Sequence, residues 1–366
     1  MIHTSFSVDD TQFECDLDWG NSLHIQSHNK NYSVAYSSDS LKEIILKIFK
    51  PKDFILVDQN VFMLDPSAFH QAEDKVMVLE ATEENKTMEY VLAVVDSLLE
   101  IKFSRENRLI VIGGGITQEV GGFAAAIYKR GIDWILVPTT ILSMTDSCIG
   151  SKVSINHNKT KNMLGMFVAP NEILISDWFL NSLKEEDIVS GVGEVLKLSM
   201  IGGPDALEAF MKFYSTKDYM SIIKLASLVK KQVIERDEFE KKERKVLNYG
   251  HTVGHSLEAT SNYEIPHGIG VLMGMYIKNV LFRGEYEYDF SDLNRFIKGM
   301  IPEKFFRRCI DFETFKKHLL LDKKNRGNEI CFIVLEKPGV SRILYKNLSI
   351  VETPLRKIME NLFISS

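Results

Sequence analysis

The chain has 366 residues, 45% of them hydrophobic, so one large domain or two with real cores are expected. Lys plus Arg is 44 against 50 for Asp plus Glu, a net charge of -6, which gives no support to a nucleic-acid binder and leaves phosphate recognition to a few placed cations. Cys15, Cys148, Cys309 and Cys331 are far apart and form no CxxC pair, so neither a disulfide framework nor a cysteine zinc site is suggested.

The opening "MIHTSFSVDDTQFECDLDWG" lacks a basic n-region and an apolar h-region, and no apolar run reaches the roughly 18 residues of a membrane helix. A cytoplasmic protein is expected, with residues 1–30 an irregular or hairpin lead-in. Short β-branched runs then alternate with helical patterns. "FILV" (54–57) ends at Asp58, and "KVMVL" (75–79) precedes the helical stretch "NKTMEYVLAVVDSLLEI". "RLIVI" (108–112) runs into three glycines, "WILV" (134–137) into Pro138-Thr139-Thr140, and "EILI" (172–175) into Ser176-Asp177. This alternation predicts βαβ units and a parallel sheet, with ligands off the carboxyl ends of its strands. From residue 184 on, 3.6-period patterns dominate, as in 219–235 and 243–260, and "NEICFIVLEKPG" (328–339) reads as a late strand. The fold expected is an α/β, Rossmann-like domain over 1–183 and a mainly α-helical domain over 184–366.

Three segments carry candidate chemistry. In "RLIVIGGGITQEVGGFAAAIYKRG" a strand, a glycine turn and a helix follow one another, a context that offers free N–H groups to a pyrophosphate. Gln118 stands where GxGxxG has its third glycine, so a tight packing turn explains the stretch equally well. "DSCIGSKVSINHNKTKNMLG" (146–165) gathers Lys152, Lys159 and Lys161 with Asn156, Asn158 and Asn162, either an anion site or a solvated basic loop. Asp146, at a strand end, can orient a hydroxyl. In "NYGHTVGHSLEATSNYEIPHGIG", His251 and His255 share a helix face and His267 follows Pro266. With Glu194 of "GVGEVLK" they offer a His/His/Glu set with an open position, a catalytic type of zinc arrangement. Spacing does not say which two histidines bind, and packing or capping explains a lone pair as well. Lys197 lies near Glu194 on the same helix face, and Glu240 with Arg244 reads as a surface ion pair.

Taken in order, "GGG", "RGIDWILVPTT", "DSCIGSK", "KNMLG", "GVGEVLK", "DEFEKKERKVLNYGHTVGH", "PHG" and "LDKK" resemble the 3-dehydroquinate synthase family of sugar-phosphate cyclases over roughly residues 50 to 335. The resemblance implies a two-domain homodimeric enzyme using NAD and a divalent metal, zinc or cobalt, on a small sugar phosphate, with no nucleic-acid or membrane partner. By motif position it implies Glu194, His251 and His267 as metal ligands, with His255 on the substrate side. Asp146, Lys152, Asn162, Lys197, Lys230, Arg244, Asn248 and Lys323 fall on active-site positions, and Arg130 on the position reaching the neighbouring subunit's phosphate. Asp58, Glu83, Lys86, Gly114, Gly115, Ile116, Glu119, Thr139, Thr140 and Lys161 fall on nucleotide positions.

The implied chemistry is transient oxidation of a ring hydroxyl, β-elimination of phosphate, re-reduction and an intramolecular aldol. Departures lie beside these sites. The family's "GGGVxGD" is "GGGITQE" here, and its "GGKTG" is "GSKVS", with Ser151, Val153 and Ser154 around Lys152. Lys230, Arg244, Asn248 and Lys323 together favour an acidic substrate, 3-deoxy-D-arabino-heptulosonate 7-phosphate, because buried cations need an anion to meet. The alternatives are a cyclase acting on sedoheptulose 7-phosphate, a metal-dependent alcohol dehydrogenase and a non-catalytic scaffold.

Overall fold

The structure, a computed structural model, describes residues 2–18, 20–158, 160–286 and 288–363. Two antiparallel strands open it, β1 (Ile2–Val8) and β2 (Thr11–Leu17). There follow β3 (Ser22–Ile25), β4 (Tyr32–Ser37), α1 (Leu41–Ile48), β5 (Phe54–Asp58), α2 (Gln59–Leu64), β6 (Val76–Leu79) and α3 (Met88–Glu100). Next come β7 (Arg108–Gly113), α4 (Gly115–Ile127), β8 (Asp133–Pro138), β9 (Lys152–His157), β10 (Thr160–Phe167) and β11 (Glu172–Ser176). The second half is α5 (Glu185–Ile201), α6 (Pro204–Ser215), α7 (Tyr219–Arg236), α8 (His251–Thr260), α9 (His267–Leu281), α10 (Ser291–Met300), α11 (Phe312–Leu320), β12 (Glu329–Lys337), β13 (Val340–Asn347) and α12 (Leu348–Leu362).

The chain forms two compact units. The α/β unit runs from after Asp18 to Lys184 and includes Ile234–Phe239; the helical unit holds the residues up to Asp18, Glu185–Val233 and those from Glu240 onward. In the α/β unit a seven-stranded sheet has the order β3-β4-β11-β8-β7-β5-β6, parallel except for the β3–β4 edge pair. All of β5 and all but the first residue of β7 and β8 are buried. Helices cover such a sheet on both faces, which is why these strands read as unbroken apolar runs instead of alternating ones. Parallel strands also bring their carboxyl ends to one edge, so Asp58, Gly113 and Pro138-Thr139-Thr140 end on the same side of the sheet.

Three expectations are corrected. The expected division at residue 183/184 put all of residues 1–183 in one domain, but the first strands belong elsewhere. β1 pairs in parallel with β13 (Ser7↔Val340, Val8↔Ser341), giving a four-stranded sheet of order β12-β13-β1-β2 in the helical unit. Residues of opposite chain ends pair there, so no local pattern announces it. Segment 234–239, read as part of the second domain, belongs to the α/β unit. The segment around Lys152, read as a basic loop, contains the antiparallel ribbon β9–β10, irregular between Thr160 and Leu164. Most of β10 is exposed, so it shows no apolar alternation. Lys159, in the same segment, lies outside the described residues.

In the helical unit, α5 is buried from Ser190 to Ile201 and α9 along most of its length. Their approach is close enough to exclude side chains. A Cβ on Gly268 would lie 1.8 Å from the Ser190 carbonyl oxygen, and one on Gly274 would lie 2.0 Å from that of Gly250. These glycines draw α5, α8 and α9 together backbone to backbone. The helical pattern expected over 243–260 is broken at Gly250 (φ 87) into a 3-10 turn, Glu243–Asn248, and α8.

Candidate functional site

The helix approach places three side chains in one cluster. Glu194 lies inside α5, while His251 and His267 are the first residues of α8 and α9. Glu194 Oε1 is 3.4 Å from His251 Nε2 and 3.4 Å from His267 Nε2. The carboxylate is fully buried, and neither oxygen has a well-directed hydrogen bond among the described residues. Lys197, one turn along α5, is in ion-pair contact with Oε2 and offsets the buried charge. A buried acceptor left without a donor is costly and calls for explanation.

The second nitrogens of the imidazoles are already engaged. His251 Nδ1 is 3.3 Å from the Tyr249 carbonyl oxygen, and His267 Nδ1 is 3.1 Å from Glu258 Oε1. With Nδ1 engaged, Nε2 is the atom of each ring that faces Glu194, open to an ion once it carries no proton. Burial, then the nearby ammonium of Lys197, holds His251 well below the ordinary histidine range. For His267, burial pulls the same way, but Glu258 and Glu194 outweigh it and raise the group well above that range. The ring of His255 is exposed, with its centroid 5.0 Å from that of His251 and 5.3 Å from that of His267. One ligand atom from each of the three histidines lies within 4.8 Å of the others.

These residues fit a divalent ion. Two ligands each about 2.0–2.1 Å from a tetrahedral ion are separated by about 3.3–3.4 Å. That is the spacing from Glu194 to both imidazoles. A cation there would satisfy the orphaned carboxylate, and the bonds from Nδ1 to Tyr249 and Glu258 are the outer contacts such ligands ordinarily make.

In the same unit Lys230 and Arg244 are buried, and Lys323 is exposed. Arg244 is buried within the 3-10 turn and so is no surface residue; Glu240 accepts from Asn248 Nδ2 at 2.7 Å. Two further residues, beyond those assigned by motif position, act on the cluster. Glu258 holds His267, and the charge of Lys324 acts on His251 and His255. Glu258 lies two turns along the HTVGH helix from His251, and an acid three residues past a paired histidine is the local signal for it.

The α/β unit gathers the second set. Gly113 ends β7, Gly114 caps α4, and Gly115 and Ile116 form the helix's first turn. Thr139 N donates to Gly113 O at 3.1 Å, and Thr140 exchanges hydrogen bonds with Ser143. Asp146 lies in the π-helical turn Ser143–Ser147 that follows. Asp58 caps α2, accepting from Asn60 N at 2.7 Å; burial, opposed by these amides, keeps its carboxyl above the usual range. Arg130 is exposed in a tight turn with φ 64.

The β9–β10 ribbon joins the remaining residues in a network. Lys86 Nζ donates to Glu119 Oε2 at 2.5 Å and to Asn162 Oδ1 at 2.6 Å. Ser154 Oγ lies 2.7 Å from Glu119 Oε1 and 3.0 Å from Asn162 Oδ1. Asn156 Nδ2 donates to Glu83 Oε1 at 2.8 Å, and Lys161 is 3.7 Å from Glu83. The departures from the family pattern thus have partners of their own. Glu119 and Ser154 bond each other, while Gln118 exchanges two bonds with Ser147, at 2.7 and 2.8 Å.

A parallel α/β unit with a glycine turn, next in the chain to a helical unit carrying a carboxylate between imidazoles, has the fold of the sugar-phosphate cyclases. The chain is similar to a solved 2-deoxy-scyllo-inosose synthase complexed with carbaglucose-6-phosphate, NAD+ and Co2+, with TM-score 0.79 and 21% identity, covering 92% of this chain and 99% of that one. It is also similar to 2-epi-5-epi-valiolone synthase from Streptomyces hygroscopicus subsp. jinggangensis 5008 with NAD+ and Zn2+ bound, with TM-score 0.73 and 22% identity, covering 89% of this chain and 97% of that one. The chain belongs to the 3-dehydroquinate synthase family. The family's N-terminal model matches residues 76–190 and its C-terminal model residues 191–325. A 3-dehydroquinate synthase from Pelagibacter ubique is 32% identical over 347 residues, 87% of this chain and 92% of that protein.

Proposed function

We propose that this chain is an NAD- and metal-dependent carbon–oxygen lyase that converts 3-deoxy-D-arabino-heptulosonate 7-phosphate to 3-dehydroquinate and phosphate. The observation that carries the reading is the buried Glu194 carboxylate, without a well-directed hydrogen bond among the described residues and with Oε1 3.4 Å from two imidazole Nε2 atoms, in a chain of this family. When bound, the metal would polarise substrate oxygens as a Lewis acid and NAD would take and return a hydride.

The chain's own residues supply binding, orientation and proton transfer. Glu194, His251 and His267 hold the metal, and Tyr249 O and Glu258 fix the two rings. His255, exposed beside them, moves protons at the substrate. Lys152, Asn162, Lys197, Lys230, Arg244, Asn248 and Lys323 hold the substrate's phosphate and carboxylate, with Asp146 orienting a hydroxyl. An acidic substrate is the reading because the cations Lys152, Lys230, Arg244 and Lys323 fall together on the family's substrate positions. The Gly114–Ile116 turn, Thr139 and Thr140 hold the dinucleotide's phosphates, with Asp58, Glu83, Lys86, Glu119 and Lys161 around it. The α/β unit is the NAD-binding domain and the helical unit the metal-binding one. The protein works in the cytoplasm as a homodimer, with Arg130 reaching the neighbouring subunit's substrate. No helix among the described residues is long and apolar enough to cross a membrane.

The test is to mix the protein with NAD, metal and the heptulosonate phosphate. Phosphate release without growth of absorbance at 340 nm, and a product of the mass of dehydroquinate, is the expected result. Steady NADH growth would make it a dehydrogenase, and faster release from sedoheptulose 7-phosphate would make it a different cyclase.

A further inference from the structure

We propose that Glu238 is a positioning residue that sets the direction of Lys152 by anchoring Ser151; this rests on the reading of Lys152 as a substrate-binding lysine. Ser151 is buried and sits at φ 58, directly before the first residue of β9. Glycine adopts that left-handed conformation freely, whereas a residue with a Cβ needs support from its surroundings. Gly150 before it is also left-handed, at φ 111. Two successive residues of this kind decide the direction in which the chain enters the ribbon, and so where Lys152 begins.

The support comes from Glu238. Ser151 Oγ donates to Glu238 Oε1 at 2.5 Å. The carboxylate is fully buried and saturated with donors: Ser27 Oγ at 2.8 and 3.1 Å, His28 N at 2.7 Å and His28 Nδ1 at 3.1 Å. Burial draws its pKa up, but the hydrogen bonds from Ser151 and the His28 amide outweigh it and keep the carboxyl below its usual range. The other ends of the turn are held by Val168 N donating to Ser151 O, at 2.7 Å, and by Gly150 N donating to Tyr32 Oη, at 3.0 Å. Among the described residues, Glu238 is thus the charged anchor on the Ser151 side chain. It compensates, from a distant part of the sequence, for a serine at a position where the family pattern has glycine.

The geometry dictates how to test this. The serine hydroxyls on Oε1 can accept as well as donate, so Glu238→Gln can turn its amide NH2 toward Ser151 and keep a bond there; Glu238→Ala removes the anchor outright. Phosphate release by Glu238→Ala and by Ser151→Ala should show kcat lowered by between about ten- and a hundredfold, as for a misplaced substrate contact, with the NAD dissociation constant unchanged. Glu238→Ala combined with Ser151→Gly should recover to within about twofold of the parent protein, because glycine needs no anchor. A slow Glu238→Ala that Ser151→Gly fails to rescue, or an unchanged kcat in both single variants, would overturn the proposal. Amide exchange at Val168 gives a readout independent of substrate. It should quicken in Glu238→Ala and return to the parent rate in the double variant. If the parent protein releases phosphate from no sugar phosphate, the functional reading fails, and the exchange pattern alone decides whether Glu238 fixes the turn.

Discussion

The two polar clusters are built on opposite principles. In the helical unit the Glu194 oxygens are buried without a well-directed hydrogen bond among the described residues, while His251 and His267 have their outer nitrogens occupied. In the α/β unit the ribbon network is closed on itself: Lys86, Glu119, Ser154 and Asn162 satisfy one another at 2.5–3.0 Å. An orphaned acceptor marks a place where something from outside completes the structure, whereas a closed network holds side chains ready without such a guest. The first cluster stands on rigid helices packed through glycine. The second ties Ser154 and Asn162 of the ribbon to Glu119 of α4 and to the buried Lys86.

Breaking the first cluster should have the largest effects. Ala at Glu194, His251 or His267 should abolish both stoichiometric metal, read by elemental analysis, and activity; a variant that keeps one metal per chain would remove that residue from the ligand set. His255→Ala sharpens the contrast, since it should keep the metal and lose about 10²–10⁴ in kcat, the range for a proton-transfer group. Loss of metal there, with retention in His267→Ala, would reverse the two roles. One shell further out, Glu258→Gln should weaken metal affinity by about 10–100-fold, measured by competition with a chelator, because the His267 ring loses its anionic partner.

Changes in the α/β unit should be smaller and leave the metal in place. A Cβ on Gly114 would lie 3.3 Å from Thr140 Cγ2, so Gly114→Val crowds the turn and should raise the NAD dissociation constant at least about tenfold, or about 1.4 kcal/mol. Titration calorimetry with an unchanged constant would move the dinucleotide elsewhere. Ser154→Ala takes one donor from a network that has others, so denaturant unfolding should show a loss of about 1 kcal/mol with unaltered metal content. A much larger loss would mean the ribbon is less self-sufficient than its hydrogen bonds suggest.

The sequence was most legible where burial is complete or strictly periodic. Buried strands such as Phe54–Asp58 and Arg108–Gly113 stood out as apolar runs because helices cover both faces of their sheet. The glycine turn, the His251–His255 pair and the nearness of Lys197 to Glu194 followed from local spacing, and the family resemblance followed from motifs in order. Exposed β10 carried no period, so the ribbon read as a loop. What only the tertiary structure decided are the contacts between distant segments. The orientation of Glu194 toward His251 and His267 depends on helices meeting backbone to backbone, and the hold of Glu258 on His267 on where α8 delivers its second turn. The pairing of β1 with β13, and the anchoring of Ser151 by Glu238, join residues whose neighbours in sequence say nothing of each other. Periodicity records which face of an element is buried. It does not record which partner buries it, because that choice is made by the packing of the whole chain.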